Sequence, residues 1–147
     1  MKRVEYFAKI EFNKEDGVFE VSFPDLPTIH TFGDTKDEAL EMAQDALSGY
    51  LEVAYKIESK IPKAAEHKGK NLYLIRPSAN IALAVILRWE REKRGYSQKE
   101  VAEKLGVAYQ VYQKIETPKL SNPTLKTLEK LGKIFDLDLI SICCCRL

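Results

Sequence analysis

Histidine, cysteine and long hydrophobic runs are all scarce in this chain, and each scarcity closes off a class of function. The histidines are His30 and His67 alone, and the cysteines are Cys143, Cys144 and Cys145, side by side near the end. Tetrahedral zinc needs four ligands separated by loops, so this inventory offers no metal site. Adjacent thiols form strained disulfides poorly. The three cysteines therefore read as small apolar residues closing a strand in a reducing compartment, with no redox chemistry assigned. No apolar run reaches the roughly 18 residues of a membrane helix, and the opening MKRVEYFAKIEF alternates apolar with polar residues, unlike a signal-peptide core. A cytoplasmic protein with no membrane partner is expected. There is no Ser-His-Asp set and no glycine-rich phosphate loop, and no cofactor is expected.

What is present is an uneven distribution of charge. The net +1 conceals 10 Lys and Arg against 14 Asp and Glu in residues 1–75, a net of −4, and 13 against 8 in residues 76–147, a net of +5. Such a split suggests two partners, the basic half being suited to nucleic acid. At 147 residues the chain can form two small domains.

The first half reads β-β-β-α-β. Residues 3–12 alternate with period two, with Val4, Tyr6, Ala8, Ile10 and Phe12 facing one way. Asn13-Lys14-Glu15-Asp16-Gly17 is a turn marked by its Asp-Gly, and Phe19, Val21 and Phe23 return along a second strand. Proline donates no ladder hydrogen bond, so Phe23-Pro24-Asp25-Leu26-Pro27 leaves the sheet before a short third strand, Ile29 to Phe32. Thr35-Lys36-Asp37-Glu38 has the form of a capping box. It opens a helix whose apolar stripe, from Ala39 and Leu40 through Ala43, Ala46, Leu47, Tyr50 and Leu51 to Ala54, lasts about five turns. Neither sheet nor helix can bury its apolar side alone, so this stripe covers the hairpin. A polar linker over residues 61–70 leads to a fourth strand, Asn71 to Ile75.

The second half reads as helices. Arg76-Pro77-Ser78-Ala79-Asn80 marks the boundary, giving domains 1–76 and 77–147. The run Ile81 to Leu87 is apolar on more than one side, and Trp89 reads as a core residue. Arg91, Lys93 and Arg94 then suit the helix dipole before Gly95. Ser97 and Glu100 form a second capping box, and Gly106 can take the left-handed conformation that stops a helix. Val107, Val111, Tyr112 and Ile115 supply the packing stripe of the next helix. Its other face shows Ala108, Tyr109, Gln110, Gln113 and Lys114. Gln can hold adenine bidentately and Lys can reach guanine or a phosphate, so that face suits a DNA groove. Asn122-Pro123 supplies a cap and a first-turn proline for a helix packed through Leu125, Leu128, Leu131, Gly132 and Phe135. Leu137-Asp138-Leu139-Ile140-Ser141-Ile142 then turns β-like. A lone strand has unpaired edges, and the same strand from a second subunit would satisfy them, giving a two-fold dimer.

The succession SQxxVAxxLGV, polar helix face, Ile115-Glu116, Asn122-Pro123 and amphipathic helix resembles the lambda-repressor-like helix-turn-helix domains over roughly residues 80–138. That resemblance implies that Gln98 binds a phosphate and that Ala108, Tyr109, Gln110 and Lys114 reach the major groove, with Gln113 exposed beside them. Lys119, Ser121 and Asn122 are then candidates for further phosphate contacts. Ala108 stands where relatives often have a small hydroxyl, and Pro118 where they often have glycine. The hairpin, the Phe23–Pro27 segment, Gly33-Asp34-Thr35, Glu38-Ala39 and the late strand resemble HicB antitoxins over roughly residues 3–76. Thr28-Ile29 replaces the Gly-Cys of many members. This second resemblance implies a truncated ribonuclease-H-like fold that inhibits HicA toxins, small double-stranded-RNA-binding-like ribonucleases that cut messenger RNA.

The expected fold class is α+β: a truncated ribonuclease-H-like β-β-β-α-β domain, then an all-α helix-turn-helix domain with a C-terminal dimerising strand. The expected function is an antitoxin that neutralises a HicA-like toxin and, as a homodimer or tetramer, binds double-stranded operator DNA to repress its own operon. The alternative is a stand-alone repressor with a ligand-sensing N-terminal domain, for which no polar cluster suggests a pocket. Ribonuclease-H chemistry needs several carboxylates around two metal ions, and the fourth strand has none. No enzyme is expected.

Overall fold

Period-two alternation decides how the first part of the chain packs. The computed structural model describes residues 3–143 and divides into two units, Val4–Ser78 and another beginning at Ala79. In the first unit, β1 (Tyr6–Asn13), β2 (Val18–Ser22), β3 (His30–Gly33) and β4 (Leu72–Ile75) form one antiparallel sheet in the order β3-β2-β1-β4. Helix α1 (Lys36–Lys56) lies on one face. Tyr6, Ala8, Ile10 and Val21 from the sheet, and Ala39, Ala43, Leu47 and Leu51 from α1, are buried. Phe12 shares their parity but is 53% exposed and packs on Phe19, ring centroids 5.1 Å apart. The hairpin tip therefore extends beyond the cover of the helix.

Local chemistry fixes where α1 begins. Thr35 accepts from the Glu38 backbone N–H at 3.1 Å, while the Glu38 carboxylate accepts from Asp34 N–H at 2.9 Å. The reciprocal half of the capping box thus reaches one residue further back than the sequence spacing implies. A Cβ on Gly33 would collide with the backbone of Ala39, so glycine is what lets the end of β3 meet the first turn of α1.

The polar connection from α1 to β4 is held at several points. Ile61 is buried, and Tyr6 Oη donates to Pro62 O at 2.6 Å. Asp25 accepts from Ala65 N–H at 3.0 Å and lies 2.9 Å from His67 Nε2. The His67 ring meets Phe7 edge-on. Burial pushes the Tyr6 phenol well above the usual tyrosine range.

The second unit contains α2 (Ala79–Lys93), α3 (Gln98–Leu105), α4 (Tyr109–Ile115), a 3-10 turn (Pro118–Leu120), α5 (Leu125–Phe135) and α6 (Leu139–Cys143). Helix α2 packs against the 3-10 turn and α6. Leu87, Val101, Tyr112, Leu131, Phe135 and Leu139 are among its most deeply buried residues.

The structure departs from three expectations. The dimerising strand over residues 137–142 is instead the helix α6. Asp138 accepts from both the backbone N–H (3.1 Å) and the hydroxyl (2.6 Å) of Ser141, which caps the first turn. Leu139 and Ile142, three residues apart, are buried, as a helix would place them. A dimer therefore cannot be argued from an open strand edge. The cap of α5 is Thr124, which accepts from Thr127 N–H at 3.2 Å, and not Asn122-Pro123. Leu125, expected in the packing stripe, is 64% exposed. Cys143 ends α6, while Cys144 and Cys145 lie outside the described residues. Among the described residues no helix is long and apolar enough to cross a membrane.

Candidate nucleic-acid interface

Helices α3 and α4 meet through a sharply defined turn. Both halves of the capping box at α3 form: Ser97 Oγ accepts from Glu100 N–H at 3.1 Å, and the Glu100 carboxylate accepts from Ser97 N–H at 2.6 Å. Gly106 closes α3 at φ 78°, the left-handed conformation that side chains with a Cβ disfavour. Ala108 then caps α4 without any side-chain hydrogen bond, since a methyl group offers no acceptor.

Burial in α4 separates its two faces. Tyr112 and Ile115 are buried, whereas Gln110, Gln113 and Lys114 are exposed. Residues three and four apart share a helix face, so Gln110, Gln113 and Lys114 form one polar surface with Tyr109 on its edge and Ala108 at its start. Tyr109 Oη donates to Gln98 Oε1 at 3.2 Å, which ties the first turn of α4 to the first turn of α3. Lys119 is exposed in the 3-10 turn, and Asn122 is exposed after it. Ser121 is buried, which removes it from the phosphate-contact candidates. Val111, expected in the packing stripe, is 48% exposed. Lys99 and Lys104 are also exposed on α3, with Lys104 Nζ 5.0 Å from the centroid of the Tyr96 ring.

A buried ion pair holds α4 in place. Arg91, near the end of α2, donates through Nε and Nη2 to both oxygens of Glu116, at 2.7 to 3.1 Å. A further donation from Arg91 Nη1 to Tyr96 O is 3.0 Å long. Glu116 is fully buried. Its hydrogen bonds raise the Arg91 guanidinium further above an already high value, against the opposing effect of burial. The pair joins the C-terminal ends of α2 and α4. Nearby, Arg94 pairs with buried Glu90 and lies over the Phe135 ring. Sequence spacing could have found Glu90 and Arg94, four residues apart across the end of α2. The Arg91–Glu116 pair spans 25 residues and carries no local signal.

Among the described residues, no group of three or more His, Cys, Asp or Glu is placed to hold a metal ion.

Comparison with known proteins gives two family matches. Residues 5–81 match the HicB-like antitoxin of bacterial toxin–antitoxin systems, and residues 87–142 match a helix-turn-helix family. The chain is 33% identical over 133 residues to antitoxin HicB 2 of Photorhabdus laumondii, covering 87% of this chain and 92% of that protein. It is 47% identical over 62 residues to antitoxin HicB 1 of the same organism, covering 42% of this chain and 39% of that one. The crystal structure of the Burkholderia pseudomallei antitoxin HicB aligns with 70% of this chain and 96% of its own, at 14% identity and a TM-score of 0.46. With the antitoxin model matching residues 5–81 and antitoxin HicB 2 matched over most of both chains, the chain belongs to the HicB-like antitoxin family.

Proposed function

We propose that this protein binds and neutralises a HicA-like ribonuclease toxin in the cytoplasm and, as a dimer, binds operator DNA to repress its own toxin–antitoxin genes. The observation that carries the DNA-binding half is the exposed polar face of α4, fastened to α3 by Tyr109 and Gln98. In this reading Gln98 holds a phosphate and Tyr109 keeps it aimed. Gln110 and Gln113 meet base edges, and Lys114 reaches a phosphate. The small Ala108 lets the start of α4 come close to the duplex, and Lys119 adds a backbone contact. In a two-fold dimer, recognition helices about 34 Å apart read an inverted repeat. The acidic balance of residues 1–75 supports the other half, because it complements a basic, RNA-binding partner and speeds encounter with it.

Fluorescence anisotropy with labelled DNA from the protein's own promoter tests the repressor half. Binding should weaken steeply with salt as phosphate counterions are released. Gln110→Ala should lose roughly tenfold or more in affinity, with most of that loss traced to one base position in each half-site. Equal binding of the promoter and a scrambled duplex would remove operator recognition from the account.

A further inference from the structure

Helix α1 covers only one face of the N-terminal sheet. On the opposite face, at the hairpin end, Lys9, Glu11, Glu20, His30 and Phe32 are exposed around a groove of about 620 Å3. Strand register sets Glu11 directly opposite Glu20, and Glu20 directly opposite Phe32. One row across β1, β2 and β3 thus reads carboxylate, carboxylate, aromatic. Like charges directly opposite one another destabilise an antiparallel pair. Inside the chain they are only partly offset. Lys9 Nζ lies 3.1 Å from Glu11, with both side chains about half exposed at 47% and 51%, so water screens the pair. Asn13 Nδ2 donates to Glu20 at 2.9 Å. Phe32 is 59% exposed at the end of the same row.

We infer that this row is where the toxin docks, and that it receives an arginine from a positively charged toxin surface. The inference rests on the antitoxin reading above and names the surface that serves it. A guanidinium is planar, presents a fork of donors that matches a carboxylate, and stacks on aromatic faces. Neighbouring strands stand about 4.8 Å apart. One guanidinium can therefore pair with Glu20 while lying on Phe32, with Glu11 supporting its charge from the far side. A lysine would make the ion pair but stack less well. A protein that cuts RNA needs cations to hold phosphates. Carboxylates seated on those cations occupy the positions that RNA would take, which makes inhibition competitive with substrate.

The test is titration calorimetry of the full-length chain against a catalytically inactive HicA-like ribonuclease, the toxin class of the proposed function. For the double variant Glu11→Gln/Glu20→Gln, Kd should rise roughly tenfold or more, with a shallower salt dependence than the wild type. Phe32→Ala should raise Kd roughly fivefold. The same carboxylate variant should melt at or above the wild-type temperature, because a cross-strand repulsion has gone. That readout separates a docking role from a folding defect. A variant carrying Asp37→Asn, Glu41→Gln and Asp45→Asn on exposed positions of α1 should bind as the wild type does. Unchanged affinity in the sheet variants, or a loss confined to the α1 variant, overturns the inference and leaves the antitoxin reading standing. Failure of the wild-type chain to bind the ribonuclease overturns that reading, and this inference with it.

Discussion

Replacing Arg91 should be among the most damaging single changes in the second unit. Glu116 has no solvent exposure, and Arg91 contacts both of its carboxylate oxygens. Truncation in Arg91→Ala strips that buried carboxylate of its bidentate guanidinium, a loss of about 3–5 kcal/mol. For a unit of this size each kcal/mol shifts the midpoint by roughly 4–8 °C, so the transition should fall by some ten degrees or more. Trp89 is the only tryptophan in the chain and sits two residues from Arg91, so its fluorescence follows this unit through a urea or thermal transition. The joint replacement Arg91→Met/Glu116→Leu should return to within about 1 kcal/mol of the wild type, because apolar groups of similar volume often replace a buried pair at no net cost. Operator binding should fail in Arg91→Ala at temperatures where α4 loses its anchor. A loss below about 1 kcal/mol in Arg91→Ala, or a joint variant no better than the single one, would refute the claim that this pair positions α4.

Other outcomes follow from single contacts. The Tyr6 phenol is raised by burial, so its contribution to stability is complete below the unfolded value of about 10 and is lost as pH rises toward the folded one. Tyr6→Phe should flatten that alkaline loss in a melting series, and should lower stability at neutral pH by about 1 kcal/mol through the lost bond to Pro62. Hydrogen bonds from Ser141 hold the Asp138 carboxyl below its ordinary value. This stabilising effect is present above an unfolded value near 3.9 and is lost as pH falls through the folded one. Asp138→Ala should shift the NMR carbon resonances of residues 139–142 from helical toward coil values, whereas extended values in the unmodified chain would contradict α6. Lys114→Ala should weaken binding across operator and non-operator DNA alike and reduce the salt slope by about one, as read from anisotropy at several ionic strengths.

The features legible in the sequence are those whose cause is local. Ser97 and Glu100 announce α3 because both halves of the capping box lie within one turn, and Gly106 announces its end. Alternation of Tyr6, Ala8 and Ile10 reveals β1 for the same reason. The segment after α5 reads as a strand because Leu137-Asp138-Leu139 alternates and Ile140 and Ile142 are β-branched, whereas Leu139 and Ile142, three residues apart, share one buried helix face. Asp138 and Ser141 decide in favour of the helix through a cap that composition does not show. At α5 the eye goes to Asn122-Pro123, yet the hydroxyl of Thr124 is the one that meets a backbone N–H. Polar residues 61–70 look like a free linker, because the anchors on Tyr6 and Asp25 come from 40 or more residues away. At the interface, Gln110, Gln113 and Lys114 are readable from helical spacing alone, but the Tyr109–Gln98 bond and the Arg91–Glu116 clamp exist only once the helices have packed.

The proposed division between a toxin-covering unit and a DNA-reading unit can be tested in one strain. Full-length protein carrying Gln110→Ala and Lys114→Ala is co-expressed with a HicA-like ribonuclease while a reporter reads the promoter of the gene for this chain. The account predicts that cells grow as well as with the unmodified antitoxin and that the reporter is fully released from repression. Growth arrest despite a normally folded variant, or a reporter that stays silent, would contradict it.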